Sequence, residues 1–182
     1  KLNGPKGVGC LYAADPGRVI SLLLGGPQER RLRGGTENVA GIAGFGEACA
    51  LAREGLAERT ERAAALRDRL WERLVRTVPG IRRNGSAEHV LPNTLSVEIP
   101  GVASDVLVEA LDLEGVAASA GAACHSGSVS PSHVLLAMGR TVEQARATLR
   151  LSVGQGNDAA QIDRAAGIIG RLVARAHGEE PA

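Results

Sequence analysis

Lysine is nearly absent from this 182-residue chain: Lys1 and Lys6 stand against nineteen arginines. Arginine therefore carries almost all the positive charge, and a lysine is a marked choice, because its amine can lose a proton where a guanidinium cannot. A charge excess is also lacking. The formal balance of +1 provides no electrostatic footprint for nucleic acid or an anionic membrane surface. No apolar run reaches the roughly 18 residues that a spanning helix needs, and the charged, Gly-rich start has no apolar core of a signal peptide. The expectation is a soluble, cytoplasmic protein. Cysteine is scarce: Cys10, Cys49 and Cys124 are odd in number and widely spaced, which suits neither a disulfide framework nor a Cys-x-x-Cys metal site. Reduced thiols and no metal are expected. An initiating Met is missing too, and Lys1 is followed at once by strand-like and turn-like sequence, so the chain reads as the interior of a longer protein.

What is present draws attention to residues 119–134, Ser-Ala-Gly-Ala-Ala-Cys-His-Ser-Gly-Ser-Val-Ser-Pro-Ser-His-Val, where Cys124 stands in a run almost without large side chains. Such a segment supplies little apolar area to offset an ordering cost of about 1 to 2 kcal/mol per residue, and a mobile loop is expected. A thiol on such a loop can receive an atom in one place and deliver it in another. The plainer alternative is a structural cysteine. It fits less well, because buried inert cysteines usually sit among Leu, Ile and Val.

Strand and helix signals alternate along the chain, and the expected class is α/β. A Gly4-Pro5 turn precedes small and apolar residues through Tyr12, the pattern of a turn entering a short buried strand, and Val19 to Leu24 is a second apolar run. A basic loop at residues 28–36 leads into a helix expected to begin near Thr36, a good N-cap followed by Glu37. Gly41, Gly44 and Gly46 suggest that this helix packs closely on something. From Glu54 to Val78, Leu56, Ala63, Leu66, Leu70, Leu74 and Val78 recur at helical spacing, which predicts a long amphipathic helix. A domain boundary is placed within it, with residues 1–60 ending one domain and residues 61–182 forming a small α+β unit of helices on a sheet. In that second unit strands are expected at 94–99, 116–119 and 148–153. Helices are expected at 104–111, capped by Ser104, and at 132–138, 141–147 and 158–176.

Four segments in order resemble the cysteine desulfurases of the class V aminotransferase superfamily, which use pyridoxal phosphate. Lys1-Leu-Asn-Gly-Pro-Lys-Gly-Val-Gly is similar to the family's Lys-x-x-Gly-Pro-Lys-Gly-x-Gly. Gln28-Glu-Arg-Arg-Leu-Arg-Gly-Gly-Thr36 is similar to its Gln-Glu-Arg-x-x-Arg-x-Gly-Thr loop, Leu91-Pro-Asn-Thr-Leu95 to its Leu-Pro-Asn-Thr-Leu strand, and Arg150-Leu-Ser-Val-Gly154 to its Arg-hydrophobic-Ser-hydrophobic-Gly strand. The resemblance implies that residues 1–60 are the C-terminal part of the large PLP-binding domain and residues 61–182 the small C-terminal domain carrying the Cys loop. It also implies that the ring-stacking partner, the aspartate facing the pyridine nitrogen and most phosphate ligands lie upstream of Lys1, so the chain by itself is expected to be inactive. Lys1 is implied as the cofactor-bearing lysine and Arg150 as the ligand of the substrate carboxylate. Thr36 is implied as a donor to the cofactor phosphate of the neighbouring subunit, hence a homodimer. Cys124 is implied as the nucleophile that takes sulfur from L-cysteine, leaving L-alanine and a persulfide for an acceptor protein such as an iron–sulfur scaffold.

The residue chemistry agrees with these roles and leaves alternatives. An amine whose pKa is brought down from its ordinary value near 10.4 can bond an aldehyde cofactor. A guanidinium in the strand of Leu149, Leu151 and Val153 can grip a carboxylate bidentately, or simply face outward from an edge strand. A thiol with pKa near 8.5 is only a few per cent thiolate at pH 7 and needs help from its surroundings, to which His125 could contribute. Cys10 and Cys49 read as packing residues, and His89, His133 and His177 as surface or capping residues. Cys124-His125-Ser126 is nearer to selenocysteine lyases, which keeps that activity open as an alternative. A non-catalytic module presenting Cys124 is the other, although a lone cysteine is a poor metal site. An aminotransferase or epimerase relative without sulfur chemistry would have no use for Cys124 in that loop.

Overall fold

The computed structural model describes residues 2–120 and 131–178. The expectations placed on Lys1, and on Cys124 and its loop, lie outside the described residues. The chain divides into two compact units, Lys1–Ala57 and Glu58–Ala182, each taken here by itself.

In the first unit the strand expected before Tyr12 does not form among the described residues, and the apolar run at 19–24 forms none either. A strand needs hydrogen-bonded neighbours and a buried face, and this unit offers neither. Leu11, Tyr12, Ile20, Leu22 and Leu24 are all exposed, as is Cys10, which therefore does not pack; Cys49 is half-buried. Two single 3-10 turns, Pro16–Arg18 and Gln28–Arg31, precede helix α1, Val39–Glu54. The helix begins later than expected, and its N-cap is Asn38 rather than Thr36. The Asn38 carboxamide oxygen accepts from the Gly41 N–H at 3.0 Å, satisfying one of the free donors of the first turn. Of the three glycines read as packing sites, Gly44 meets that expectation: a Cβ there would come within 2.8 Å of Pro5 Cγ. Gly46 does not, since a Cβ on it would meet nothing within 4 Å.

The second unit is built on a four-stranded antiparallel sheet. Its strands are β1 (Arg82–Arg83), β2 (Thr94–Glu98), β3 (Ser119–Ala120) and β4 (Thr148–Ser152), in spatial order β1-β2-β4-β3. Five helices accompany it: α2 (Leu56–Thr77), α3 (Ser104–Leu113), α4 (His133–Ala137), α5 (Val142–Arg146) and α6 (Ala159–Ala176). Because successive side chains of a strand point to opposite faces, Leu95, Val97, Leu149 and Leu151 line one face. They form a single buried cluster with Leu66, Leu70 and Leu74 of α2, Leu107 and Leu111 of α3, and Ile162, Ile169 and Val173 of α6.

The helix starts carry their own signals. Thr141 caps α5 and Asp158 caps α6, each in a reciprocal capping box, with Gln144 and Gln161 respectively. The start of α3 differs from expectation: Ser104 is already helical and buried, the N-cap is Ala103 in an extended conformation, and no side chain caps it. α2 and α6 are clamped by Asp163, whose carboxylate accepts from Arg69 at 2.8 and 2.6 Å and from Arg73 at 3.1 and 3.3 Å. Among the described residues no helix is long and apolar enough to cross a membrane.

Candidate active site

The same alternation that buries Leu95, Val97, Leu149 and Leu151 turns Ser96, Glu98, Thr148 and Arg150 to the opposite face. The register pairs Glu98 with Thr148 and Ser96 with Arg150, and on the other side of β4 pairs Arg150 with Ser119. A row Ser96–Arg150–Ser119 thus crosses the middle of the polar face. The two ends of this face differ electrically. Glu98, 4% exposed, has Arg140 Nη1 at 3.6 Å and Arg82 Nη1 at 3.7 Å, and Arg140 also donates to the Arg83 carbonyl at 3.4 Å. Arg150 is half-buried, and its guanidinium has neither a hydrogen bond nor an ion pair with any described residue. An open guanidinium flanked by two serines suits a bidentate carboxylate.

Beside this row Asn84, a buried residue just past β1, donates through Nδ2 to Ser96 Oγ at 3.2 Å and to Thr148 Oγ1 at 3.1 Å. Thr148 in turn donates to the Gln144 carbonyl at 2.9 Å. The polar network therefore runs from α5 across β4 to β2 and stops at Ser96.

In the first unit the loop that ends at Thr36 is folded on itself. The Gly34 N–H donates to Leu23 O at 2.8 Å and the Gly35 N–H to Gln28 Oε1 at 3.3 Å. A Cβ on Gly34 would lie 2.9 Å from Gly25 Cα, so these two backbones touch only because residue 34 has no side chain. Glu29, Arg30 and Arg31 take left-handed φ values of 49°, 57° and 68°, a conformation that costs a non-glycine residue roughly 1 to 2 kcal/mol. The loop exposes Arg30, Arg31, Arg33 and the Thr36 hydroxyl, and none of these three arginines forms an ion pair with a described carboxylate. Uncompensated cations ending in a hydroxyl donor are a donor set that fits a phosphate group.

Of the four residues given catalytic or binding roles from sequence, the structure describes Thr36 and Arg150, which lie in different units, while Lys1 and Cys124 lie outside the described residues. Cys124 follows Ala120, the last residue of β3, by four positions. Among the described residues no group of three or more His, Cys, Asp or Glu side chains is arranged to hold a metal. Ser96 and Asn84 went unmarked in the sequence. The period-2 pattern puts Ser96 and Arg150 on polar faces, but only the strand register opposes them.

This helices-on-sheet architecture, with an open arginine on its polar face, defines a class. Residues 1–165 match the Aminotransferase class-V family, and the chain belongs to it. A relative from Bacillus subtilis (strain 168) is 43% identical over 176 residues, covering 96% of this chain and 46% of its own length. The protein named cysteine desulfurase of Gluconacetobacter diazotrophicus is 39% identical over 181 residues, covering 100% of this chain and 45% of its own. A solved structure of a NifS-like protein superimposes with a TM-score of 0.83 at 33% identity, over 96% of this chain and 44% of that one. The chain thus spans just under half the length of the curated relatives it matches.

Proposed function

We propose that the complete protein carrying this chain is a pyridoxal-phosphate-dependent cysteine desulfurase, which converts L-cysteine to L-alanine and leaves the sulfur as a persulfide on Cys124. The observation that carries the reading is the open Arg150, paired in the sheet with Ser119 of the strand that runs on toward Cys124. Chain connectivity supports it. Cys124 follows the last residue of that strand by four positions in the sequence. The names of the relatives point the same way.

Pyridoxal phosphate, when bound, supplies an electron sink for charge that develops on the substrate carbons. The residues of this chain that would hold it are Lys1, through its deprotonated amine, and Thr36, whose hydroxyl donates to a phosphate oxygen. Arg150 fixes the substrate carboxylate and so orients the side-chain sulfur. Lys1 Nζ takes the proton from the substrate Cα and gives a proton back to Cα before L-alanine leaves. The Cys124 thiolate then forms an S–S bond to the substrate sulfur as the Cβ–S bond breaks. The electron pair of that bond stays with Cβ, which is protonated to become the methyl group of L-alanine. No external oxidant is needed, because the carbon is reduced as the sulfur is oxidised.

In this reading residues 1–60 close the large cofactor-binding domain and residues 61–182 are the small domain. Thr36 serves the neighbouring subunit of a cytoplasmic homodimer, and an acceptor protein collects the persulfide. The test is to incubate the complete protein with L-cysteine, quantify L-alanine, and look by mass spectrometry for one added sulfur on the peptide containing Cys124. Turnover confined to L-selenocysteine, with no persulfide from L-cysteine, would replace this reading with a selenocysteine lyase.

A further inference from the structure

Ser96 and Arg150 are directly opposed in the antiparallel register, so their side chains leave the same face from Cβ atoms about 4.5 to 5.5 Å apart. What Ser96 can do there depends on where its proton points, and the hydrogen-bond network decides this. Thr148 gives its own proton to the Gln144 carbonyl at 2.9 Å, so its oxygen is left as an acceptor. The Asn84 group facing it at 3.1 Å must then be the amide N–H₂ and not the amide oxygen. That same Nδ2 reaches Ser96 Oγ at 3.2 Å. The Ser96 oxygen is therefore occupied as an acceptor, and its O–H remains to be given away. No described residue takes it. The guanidinium of the opposed Arg150 likewise lacks a described partner, so two donors of unlike kind leave the same face from opposed positions, where one anion could satisfy both.

We propose that Ser96 is a second ligand of the substrate carboxylate, donating to a carboxylate oxygen held by Arg150, and that Asn84 is the positioning residue that turns the Ser96 proton toward the substrate. The inference rests on the desulfurase reading, and deepens it by assigning substrate selectivity to a neutral donor besides the arginine. A guanidinium alone accepts many anions. A hydroxyl fixed at the opposed strand position demands a carboxylate of defined orientation.

The experiment uses the complete protein and two competitive inhibitors of the L-cysteine reaction: L-alanine, which carries the carboxylate, and cysteamine, which lacks it. Ser96→Ala is expected to weaken L-alanine binding about tenfold, the usual loss for one hydrogen bond to a charged group, and to leave cysteamine within twofold of wild type. Ser96→Thr keeps the hydroxyl and restores L-alanine binding to within about twofold. Asn84→Asp replaces the donor by an acceptor, draws the Ser96 proton back and weakens L-alanine in the same way, and it adds nothing once Ser96 is alanine. Equal losses for both inhibitors in Ser96→Ala, or no loss for L-alanine, overturn the proposal. So does a further loss when Asn84→Asp is combined with Ser96→Ala. If wild type itself shows no L-alanine binding that depends on Arg150, the desulfurase reading fails as well. That result is distinct from the case in which Arg150 matters and Ser96 does not.

Discussion

Arg140 and Arg150 stand on the same polar face of one sheet, and the structure predicts opposite consequences for their removal. Arg140 is one of two cations beside Glu98, a carboxylate 4% exposed, and its truncation leaves only Arg82 at 3.7 Å, with a side chain 62% exposed. Breaking a buried pair costs about 3 to 5 kcal/mol. The 3.6 Å separation and the 27% exposure of the Arg140 side chain reduce this to about 2 kcal/mol. In the complete protein that corresponds to a fall in Tm of a few degrees. Arg150 has no described carboxylate to orphan, so Arg150→Ala is expected to change stability by less than about 0.5 kcal/mol. It should instead raise KM for L-cysteine by about 10- to 100-fold, the equivalent of roughly 1.5 to 3 kcal/mol for a charge-assisted hydrogen bond. The assays are differential scanning fluorimetry and steady-state kinetics on both variants of the complete protein. Glu98→Gln in the Arg140→Ala background should recover part of the lost Tm, because it removes the orphaned charge. Equal Tm losses for the two arginine variants, with KM unchanged in Arg150→Ala, would show that Arg150 is structural and that the polar face holds no substrate.

Two further outcomes follow from the geometry. Gly34→Ala should lower the pyridoxal phosphate content of the complete protein, read from its visible absorbance, because the new Cβ would press within 2.9 Å of Gly25 Cα and spread the loop that presents Thr36; Gly46→Ala, whose Cβ meets nothing, should leave it intact, and equal cofactor content in both variants refutes a role for the loop. Hydrogen bonds from Arg69, and then from Arg73, hold the Asp163 carboxyl below its ordinary range. Its stabilising contribution is therefore present above the unfolded carboxylate value near 3.9 and is lost as pH falls through the folded value. The gap in urea midpoint between wild type and Asp163→Asn should be constant from about pH 7 to 5 and narrow progressively as pH falls below the ordinary carboxylate value near 3.9, and a gap that widens as pH falls contradicts the clamp.

How much of this was legible in the sequence varies with the physical origin of each element. The amphipathic α2 and α6 are readable because a 3.6-residue period buries Leu66, Leu70 and Leu74, or Ile162, Ile169 and Val173, whatever they pack against. β4 is readable because Leu149, Leu151 and Val153 alternate with polar residues. β1 is not, since Arg82 and Arg83 have no strand propensity to speak of and are extended only by pairing with Val97 and Glu98. The converse error, reading a strand before Tyr12, comes from treating apolar residues as sufficient when a strand also needs a partner. Thr36 and Ser104 were both plausible caps by residue type, but capping depends on which residue has non-helical backbone at the helix start, and Asn38 and Ala103 hold those positions. In the candidate site Arg150 was marked by its charge within an apolar strand. Ser96 and Asn84 carry no such contrast, and their relation to Arg150 exists only in the register of β2 against β4.

The central claim is that Cys124 takes the sulfur. Mixing the complete wild-type protein with one equivalent of L-cysteine and mapping added sulfur by mass spectrometry should place it on the Cys124 peptide with L-alanine formed in equal amount, while Cys124→Ser retains the cofactor absorbance and gains no sulfur. Persulfide on Cys10 or Cys49, or L-alanine production at the wild-type rate by Cys124→Ser, would contradict the account.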